Sequence, residues 1–555
     1  MIIANKNGFI KKHQNSIVAL LLCIAALAIA LLLHPIYETN DDPGMESLLY
    51  GINANSGTSY LVFINRILGI VLYGLVSVFP GINWYFIMHY STCLVSLFVL
   101  TYIFISKYDK ASLPVAIIVM AVTIETLFFV QFTKTAAIAS ISGGIGLIYS
   151  LKHKKSFLLT LTSMILLLLA SMIRLNALLS ICPFLLIVWG FELLDVRKNS
   201  NISLKKCCTV IIISIVSIVL SCVISNSINA KTSGNDAFNQ YNYYRSNLQD
   251  YELTWEALAN VDSEAFMVAY WMNNDSQVFT PEKLENLSND YSSAQKTPNL
   301  NNVLVKYWDH IIDMMMNQFI LIASLLVAVI VFIFGSKRKL YPIFLILCFL
   351  IVELYLVYSG RYNMHRVDFV ILVSLFISML YLCNVKTPKL MKEHKELSII
   401  ILVLFFISGI VLLSIPPLSL YNAKKSHYLT LQSSFKNACY DEDCFYLIHP
   451  LAFDVDSERN IYDLPCRILQ NEYCYMGGWG SGISIPGQDN CDHSDTSIWE
   501  QCIDNENIKL VFPSNESSFY ISIVEWYIEN HFNSNVKGII EYENEDISVY
   551  RIVSV

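Results

Sequence analysis

Charged side chains are scarce in this sequence: Asp, Glu, Lys and Arg make up 15% of its 555 residues, against about a quarter of a soluble globular chain. That deficit excludes a string of soluble domains, because 55% of the residues are apolar and they gather in runs of 17 to 24, the length that crosses a bilayer. A clustered basic surface is also missing. With a net charge of −8, nothing provides the counterion release on which a nucleic-acid partner depends. No C-x-x-C spacing occurs, which weakens a zinc-ribbon reading, and no segment recurs at a fixed period.

The charge that is present divides sharply. Region 229–310 holds 5 Lys/Arg against 11 Asp/Glu, region 417–555 holds 8 against 21, and the remainder holds 24 against 13. Two large polar regions are therefore acidic, while the short loops between apolar runs are basic. Positive loops face the cytoplasm, so the acidic regions are expected outside.

Eleven spans are expected, near 16–33, 84–105, 113–131, 133–150, 156–173, 175–194, 207–228, 311–334, 340–358, 367–383 and 397–416. The first follows Lys11 and Lys12 as a signal peptide would, but no small-residue cleavage site comes after it, so it reads as a retained helix. Segment 61–80 is long enough to cross and decides the parity of everything after it. If it does not cross, 19 of the 37 Lys/Arg collect in cytoplasmic loops. If it does, the loops after it lie on the wrong side. It is therefore expected to be interfacial or re-entrant, with Arg66 at the headgroups.

Cysteines give a second view of the same orientation. Eight of the 14 lie in or beside apolar spans, and the other six, Cys439, Cys444, Cys466, Cys474, Cys491 and Cys502, lie in the last region. An even set in an acidic tail reads as a disulfide framework of an oxidising compartment, with about 15 possible pairings. The tail itself alternates strand-like CFYLIHP, KLVFP at 509–513, VKGIIEYE and ISVYRIV with a helix-like SFYISIVEWYIENHF, the pattern of a small α/β domain. Region 229–310 reads as a partly helical cap, with an amphipathic helix over TWEALANVDSEAFMVAYWM. GGWGSG at 477–482 reads as a turn, since no helix signature follows to make it a phosphate cradle.

The expected fold is thus an all-α polytopic membrane domain, 1–416, and an extracytoplasmic α/β domain, 417–555. The membrane domain contains a first outer loop 34–60, the interfacial segment 61–80 and the outer loop 229–310. The N-terminus is cytoplasmic and the C-terminus lies outside.

Ionisable groups at membrane depth cost several kcal/mol unless they face a partner or a cavity, so each is a functional candidate. In this orientation Glu125 and Glu353 lie in outer halves of spans. Lys134, Arg174, Asp313, Arg361, His365, Arg366 and Asp368 lie at outer helix ends, level with Glu38, Asp41, Asp42 and Arg66. The loop HPIYETNDDPGMES carries the adjacent acids Asp41 and Asp42. They read either as a turn or helix cap, or as a base held ionised beside cations. SGRYNMHRVD supplies Arg361, His365 and Arg366, donors suited to phosphate oxygens and equally to lipid headgroups. Arg174, in SMIRLNALL, sits between two apolar runs with no polar loop beside it.

Together these features resemble the GT-C superfamily of membrane glycosyltransferases: a first helix, an acidic pair just after it, a non-crossing amphipathic segment, short-looped helices, an Arg at an outer helix end and an outer C-terminal domain. ETNDDPGM, PGINWYF at 80–86, GRYNMHRV and YMGGWGSG are similar to segments of Gram-positive multi-pass proteins assigned to that superfamily. The resemblance covers the chain broadly through short motifs. It implies a donor sugar on a polyprenyl phosphate and an extracytoplasmic acceptor, whether cell-envelope glycan, lipid or protein. It implies Asp41 or Asp42 as general base, with Arg174, Arg361 and Arg366 on the departing phosphate and His365 as accessory donor. Glu38, Arg66 and Lys134 fall at the same level as substrate-binding candidates. Metal-dependent members use spaced acidic motifs in more than one loop; this sequence departs from that pattern, so no metal ligand is assigned and a divalent ion, though possible, is not expected.

A transporter or flippase of lipid-linked glycans is the main rival, but such proteins tend to have matching halves and midplane polar groups, whereas here the halves differ and the charges favour one face. A non-enzymatic envelope-assembly protein is the third reading.

Overall fold

The computed structural model describes the chain apart from residues 1, 428 and 432 and segments 53–55, 109–111, 154–155, 199–202, 250–262, 295–299, 335–339, 384–417, 440–442, 453–460, 466–472 and 487–496. It is mostly helical, with a small sheet near the C-terminus. In hydrocarbon no water satisfies backbone N–H and C=O groups, so apolar runs close their hydrogen bonds internally as helices.

Among the described residues six helices are long and apolar enough to cross a membrane: His13–Leu33, Trp84–Lys107, Phe157–Arg197, Leu204–Asn229, Tyr341–Tyr358 and His365–Leu382. The chain is a membrane protein. The expected span at 397–416 lies outside the described residues. That at 113–131 instead ends as Ser112–Thr123, followed by the one-turn helix Glu125–Phe128. That at 311–334 is not one helix. Asn301–Asn317 and Phe319–Ile333 meet at 88°; the first of the two carries Lys306, Asp309, His310 and Asp313, and the second carries no charged residue. Segment 61–80 holds the helix Arg66–Val78 of 13 residues, about 20 Å long and shorter than the hydrocarbon core.

The expected spans 156–173 and 175–194 are two arms of one element, Phe157–Lys198, broken at Arg174, whose φ −156° and ψ 97° are not helical. Both arms pack on the buried helix Phe132–Lys152 and run in opposite directions along it. Near one end Thr160 donates to Ser150 at 3.0 Å, while Lys152 pairs with Glu192 at 2.5 Å and Asp195 at 3.2 Å. At mid-helix glycines admit both arms: a Cβ at Gly143 would lie 2.8 Å from the Ser163 carbonyl oxygen, and one at Gly144 would lie 2.4 Å from Leu185. Small residues at a helix interface are the means by which membrane helices approach closely. The break at Arg174 therefore lies beside Phe132, at the opposite end from Lys152.

Two short strands, β1 (Ile36–Tyr37) and β2 (Phe129–Val130), pair in parallel and tie the first loop to the start of the Phe132–Lys152 helix. In the tail β3 (Phe445–Ile448), β4 (Tyr473–Tyr475), β5 (Ile508–Pro513), β6 (Val536–Glu543) and β7 (Ile547–Ser554) form a sheet of order β4-β3-β5-β7-β6. Strands β3, β5, β6 and β7 and the helix Ser517–Phe532 follow the sequence pattern; β4 was not foreseen. The cap helices Asn235–Gln249, Ser263–Ala269 and Pro281–Ala294 share a core with the tail, where Tyr241 and Phe266 pack with Trp499 and Tyr527. Part of the amphipathic helix expected over TWEALANVDSEAFMVAYWM lies outside the described residues.

Disulfides were expected in the tail, but no bridge joins the described cysteines. Cys439 and Cys444 sit together in one apolar core, and Cys474 lies close to Cys502. Burial raises the Cys439, Cys474 and Cys502 thiols, pushing Cys474 up to about 12, so they behave as small hydrophobes. Cys466 and Cys491 lie outside the described residues.

Candidate functional site

Several helix ends meet on one face: the end of the first helix at Leu33, the starts at Trp84, Phe132 and His365, and the break at Arg174. The helix Asp41–Tyr50 lies among them with both acids in its first turn, where the helix dipole favours negative charge. Asn83 and Gln131 cap the neighbouring helices with their side-chain oxygens, Asn83 accepting from Phe86 N at 3.1 Å and Gln131 from Lys134 N at 3.0 Å.

The two adjacent acids face different ways. Asp42 is fully buried and accepts from the Tyr85 hydroxyl at 2.9 Å and from Phe132 N at 3.2 Å, with His89 Nε2 3.9 Å away. Burial pushes its carboxyl well above the usual carboxylate range, and Asp41 adds to the rise, against the bonds from Tyr85 and Phe132. Asp41 is the accessible one: its side chain is 16% exposed and pairs with Arg366 Nη1 at 3.4 Å. Asp41, Arg366 and Arg361 are also the charges that act on Arg174. The Arg174 guanidinium lies 4.8 Å over the Phe63 ring and 5.3 Å over Phe132, and those two rings stack at 5.5 Å. Arg361 is exposed at the rim.

Beneath this group Lys134 is completely buried and carries two carboxylates, Glu38 at 2.6 Å and Glu125. His365 Nδ1 stands 3.0 Å from Glu38 and its Nε2 3.7 Å from Glu125. Burial works against ionisation of Glu38, but Lys134 and His365 overcome it and hold the carboxyl down at about 2. Lys134 is thus the resident cation of the three possible ligands Glu38, Glu125 and His365.

Arg66 lies apart from these carboxylates: its guanidinium is 5.5 Å over Tyr60, whose hydroxyl donates to Asn235 at 3.2 Å. The structure thus gathers Glu38, Asp41, Asp42, Lys134, Arg174, His365 and Arg366 on one face and turns Arg66 toward the cap.

Sequence reasoning gave no role to Tyr85, Phe63, Phe132 or Trp479. Trp479 reaches Gly44, where a Cβ would lie 2.8 Å from its ring, and it meets Phe63 edge-on at 6.1 Å. Tyr85 and Trp479 do lie in PGINWYF and YMGGWGSG, but aromatic residues in apolar or glycine-rich surroundings carry no sign of what they will touch. The glycines around Trp479 are needed: Gly482 has φ +75°, and a Cβ at Gly477 would lie 2.1 Å from the Trp271 carbonyl oxygen. GGWGSG is therefore a tight turn, as expected, and one that carries a ring into the site.

These groups can hold an anion against guanidinium donors and can take a proton at Asp41. Compared with known proteins, the sequence matches no family model and no curated protein.

Proposed function

We propose that the chain is a membrane glycosyltransferase that moves a sugar from a polyprenyl-phosphate donor to an extracytoplasmic acceptor. One observation carries the reading: the accessible carboxylate Asp41 pairs with Arg366, beside Arg174 and Arg361, at the convergence of helix ends. The resemblance of the first loop, GRYNMHRV and YMGGWGSG to GT-C segments supports the same assignment.

In the proposed reaction the acceptor hydroxyl gives its proton to Asp41 and its oxygen bonds to the anomeric carbon. The bond from that carbon to the phosphate oxygen breaks, and the electron pair leaves with the polyprenyl phosphate. Arg174 and Arg366 hold the phosphate and meet its growing charge, with Arg361 at the rim and His365 as accessory donor. Asp42 is assigned a positioning role, because it is sealed from the acceptor and holds Tyr85 and the start of the Phe132 helix. Lys134 with Glu38 is assigned to fixing His365. Arg66, further toward the cap, is assigned to the acceptor side. On this reading the N-terminus is cytoplasmic, the chain crosses eleven times and the tail domain lies outside.

The test compares lipid-linked and envelope glycans of a deletion strain with those of its parent and of the strain complemented in trans. Loss of a single sugar substituent, restored by the gene, supports the proposal. Unchanged glycans, or accumulation of an intact lipid-linked glycan on the cytoplasmic leaflet, overturn it, the latter in favour of a flippase.

A further inference from the structure

We propose that His310, Glu353 and Asp368 form a divalent-cation site of the Zn2+ or Mn2+ class, clamping the amphipathic helix Leu300–Asn317 to Tyr341–Tyr358 and His365–Leu382. The three side chains come from three helices and are buried, with Glu353 at 0%, His310 at 2% and Asp368 at 6% exposure. One ligand atom from each lies within 4.8 Å of the others. His310 Nε2 is 3.3 Å from Glu353 Oε2 and 3.9 Å from Asp368 Oδ1. For bonds of about 2.1 Å, the edge of a tetrahedral shell is about 3.4 Å, so these separations need only small side-chain adjustments.

The imidazole is oriented for ligation. Its Nδ1 is 2.6 Å from the Asn363 side-chain oxygen. An amide oxygen only accepts, so Nδ1 carries the hydrogen, and in the neutral ring Nε2 keeps a lone pair that faces the two carboxylates. A ligating histidine is held in just this way through its other nitrogen. Asn363 itself has φ +58°, a conformation that asparagine tolerates better than most residues.

A second observation calls for a cation. Glu353 Oε1 and Asp368 Oδ1 are buried and receive no hydrogen bond among the described residues. Carboxylate oxygens without donors in apolar surroundings are strongly unfavourable. An imidazolium at His310 would supply one Nε2 proton to two carboxylates and leave one negative charge over. A divalent ion balances both carboxylates and bonds the neutral imidazole. One nitrogen and two carboxylates suit Zn2+ or Mn2+ better than Ca2+, which takes six to eight oxygens. In the neighbouring Glu38, Glu125 and His365 group the Lys134 ammonium already fills that role; here no Lys or Arg pairs with the carboxylates among the described residues. The lack of spaced acidic motifs in the loops does not bear on this site, whose ligands come from three helices, and the inference does not rest on the sugar-transfer reading.

The test uses the purified full chain in detergent, stripped with a chelator, reloaded with Mn2+ or Zn2+ alone, desalted and analysed for metal per chain. Wild type should retain about one equivalent and lose it as pH falls and protons compete for the ligands; Glu353→Gln and Asp368→Asn, each removing a ligand charge, should weaken binding by at least the roughly 10- to 100-fold that losing a ligand's supporting hydrogen bond costs. Co2+ should give visible bands in wild type that His310→Asn abolishes, while Glu125→Gln should leave both readouts unchanged. No retained equivalent in wild type, variants that bind as wild type does, or loss on Glu125→Gln would each overturn the proposal. If a variant does not elute as a monodisperse species, the wild-type Co2+ spectrum decides: imidazole and carboxylate coordination supports the site, and its absence overturns it.

Discussion

Lys134→Met removes the ammonium that pairs with both Glu38 and Glu125 and leaves His365 as their remaining partner. Both carboxylates are almost completely buried, at 4% and 3% side-chain exposure, so neither can turn to water. Breaking a buried pair by removing one partner typically costs about 3–5 kcal/mol. A figure of the same order comes from Glu38, which Lys134 and His365 together hold at about 2 instead of its ordinary 4.5 against the opposing effect of burial, a net stabilisation of about 3 kcal/mol. Because the folded value is the lower one, this stabilisation is complete above pH 4.5 and is lost as pH falls toward 2. Thermal unfolding in detergent, followed by monodispersity on size exclusion, should therefore separate Lys134→Met from wild type most widely at about pH 7 to 8, and the margin should narrow as pH falls and the unpaired carboxylates of the variant take up protons. Adding Glu38→Gln and Glu125→Gln to Lys134→Met should recover most of the loss, since a neutral set of similar shape leaves no buried charge. A single variant within about 0.5 kcal/mol of wild type, or a triple variant as unstable as the single, would refute the reasoning.

Arg174→Ala and Arg366→Ala should each lower kcat/KM for the lipid-phosphate donor about 10- to 100-fold, the loss of a charged hydrogen bond of about 1.5–3 kcal/mol; unchanged donor kinetics would remove them from the phosphate. Gly144→Leu should abolish monodisperse protein because its side chain collides with Leu185, whereas Gly74→Leu, with nothing within 4 Å of its Cβ, should be tolerated; equal behaviour of the two would contradict the packing of the hairpin. A cysteine in place of Lys154 should resist membrane-impermeant thiol reagents in intact cells, and ready labelling would reverse the orientation assigned from loop charges.

Much of the membrane domain was legible because long apolar runs report directly on helices buried in hydrocarbon. The hairpin at Arg174 was readable as two runs separated by a lone arginine. The 88° break at Gln318 was not, because a hydropathy average over 311–334 hides the change from an amphipathic helix to one without charged residues. In the site, the sequence placed Asp41, Asp42, Arg174, His365 and Arg366 at one level but could not rank the two acids. Their different environments arise from Tyr85 and Phe132, brought in by two other helices, and from Arg366, more than 300 residues away in the chain. His310 drew no notice as a single histidine on a polar face, since its partners Glu353 and Asp368 come from later helices. The tail strands followed period-two patterns, while β4 is too short, at three residues, to show one.

The most direct measurement is sugar transfer by Asp41→Asn in membranes supplied with polyprenyl-phosphate sugar, alongside wild type and Asp42→Asn. Loss of the general base should reduce transfer by Asp41→Asn about 10²- to 10⁴-fold, with protein level and membrane insertion unchanged and a smaller effect from Asp42→Asn. Transfer by Asp41→Asn at the wild-type rate would contradict the assignment of this carboxylate, and with it the glycosyltransferase built around it.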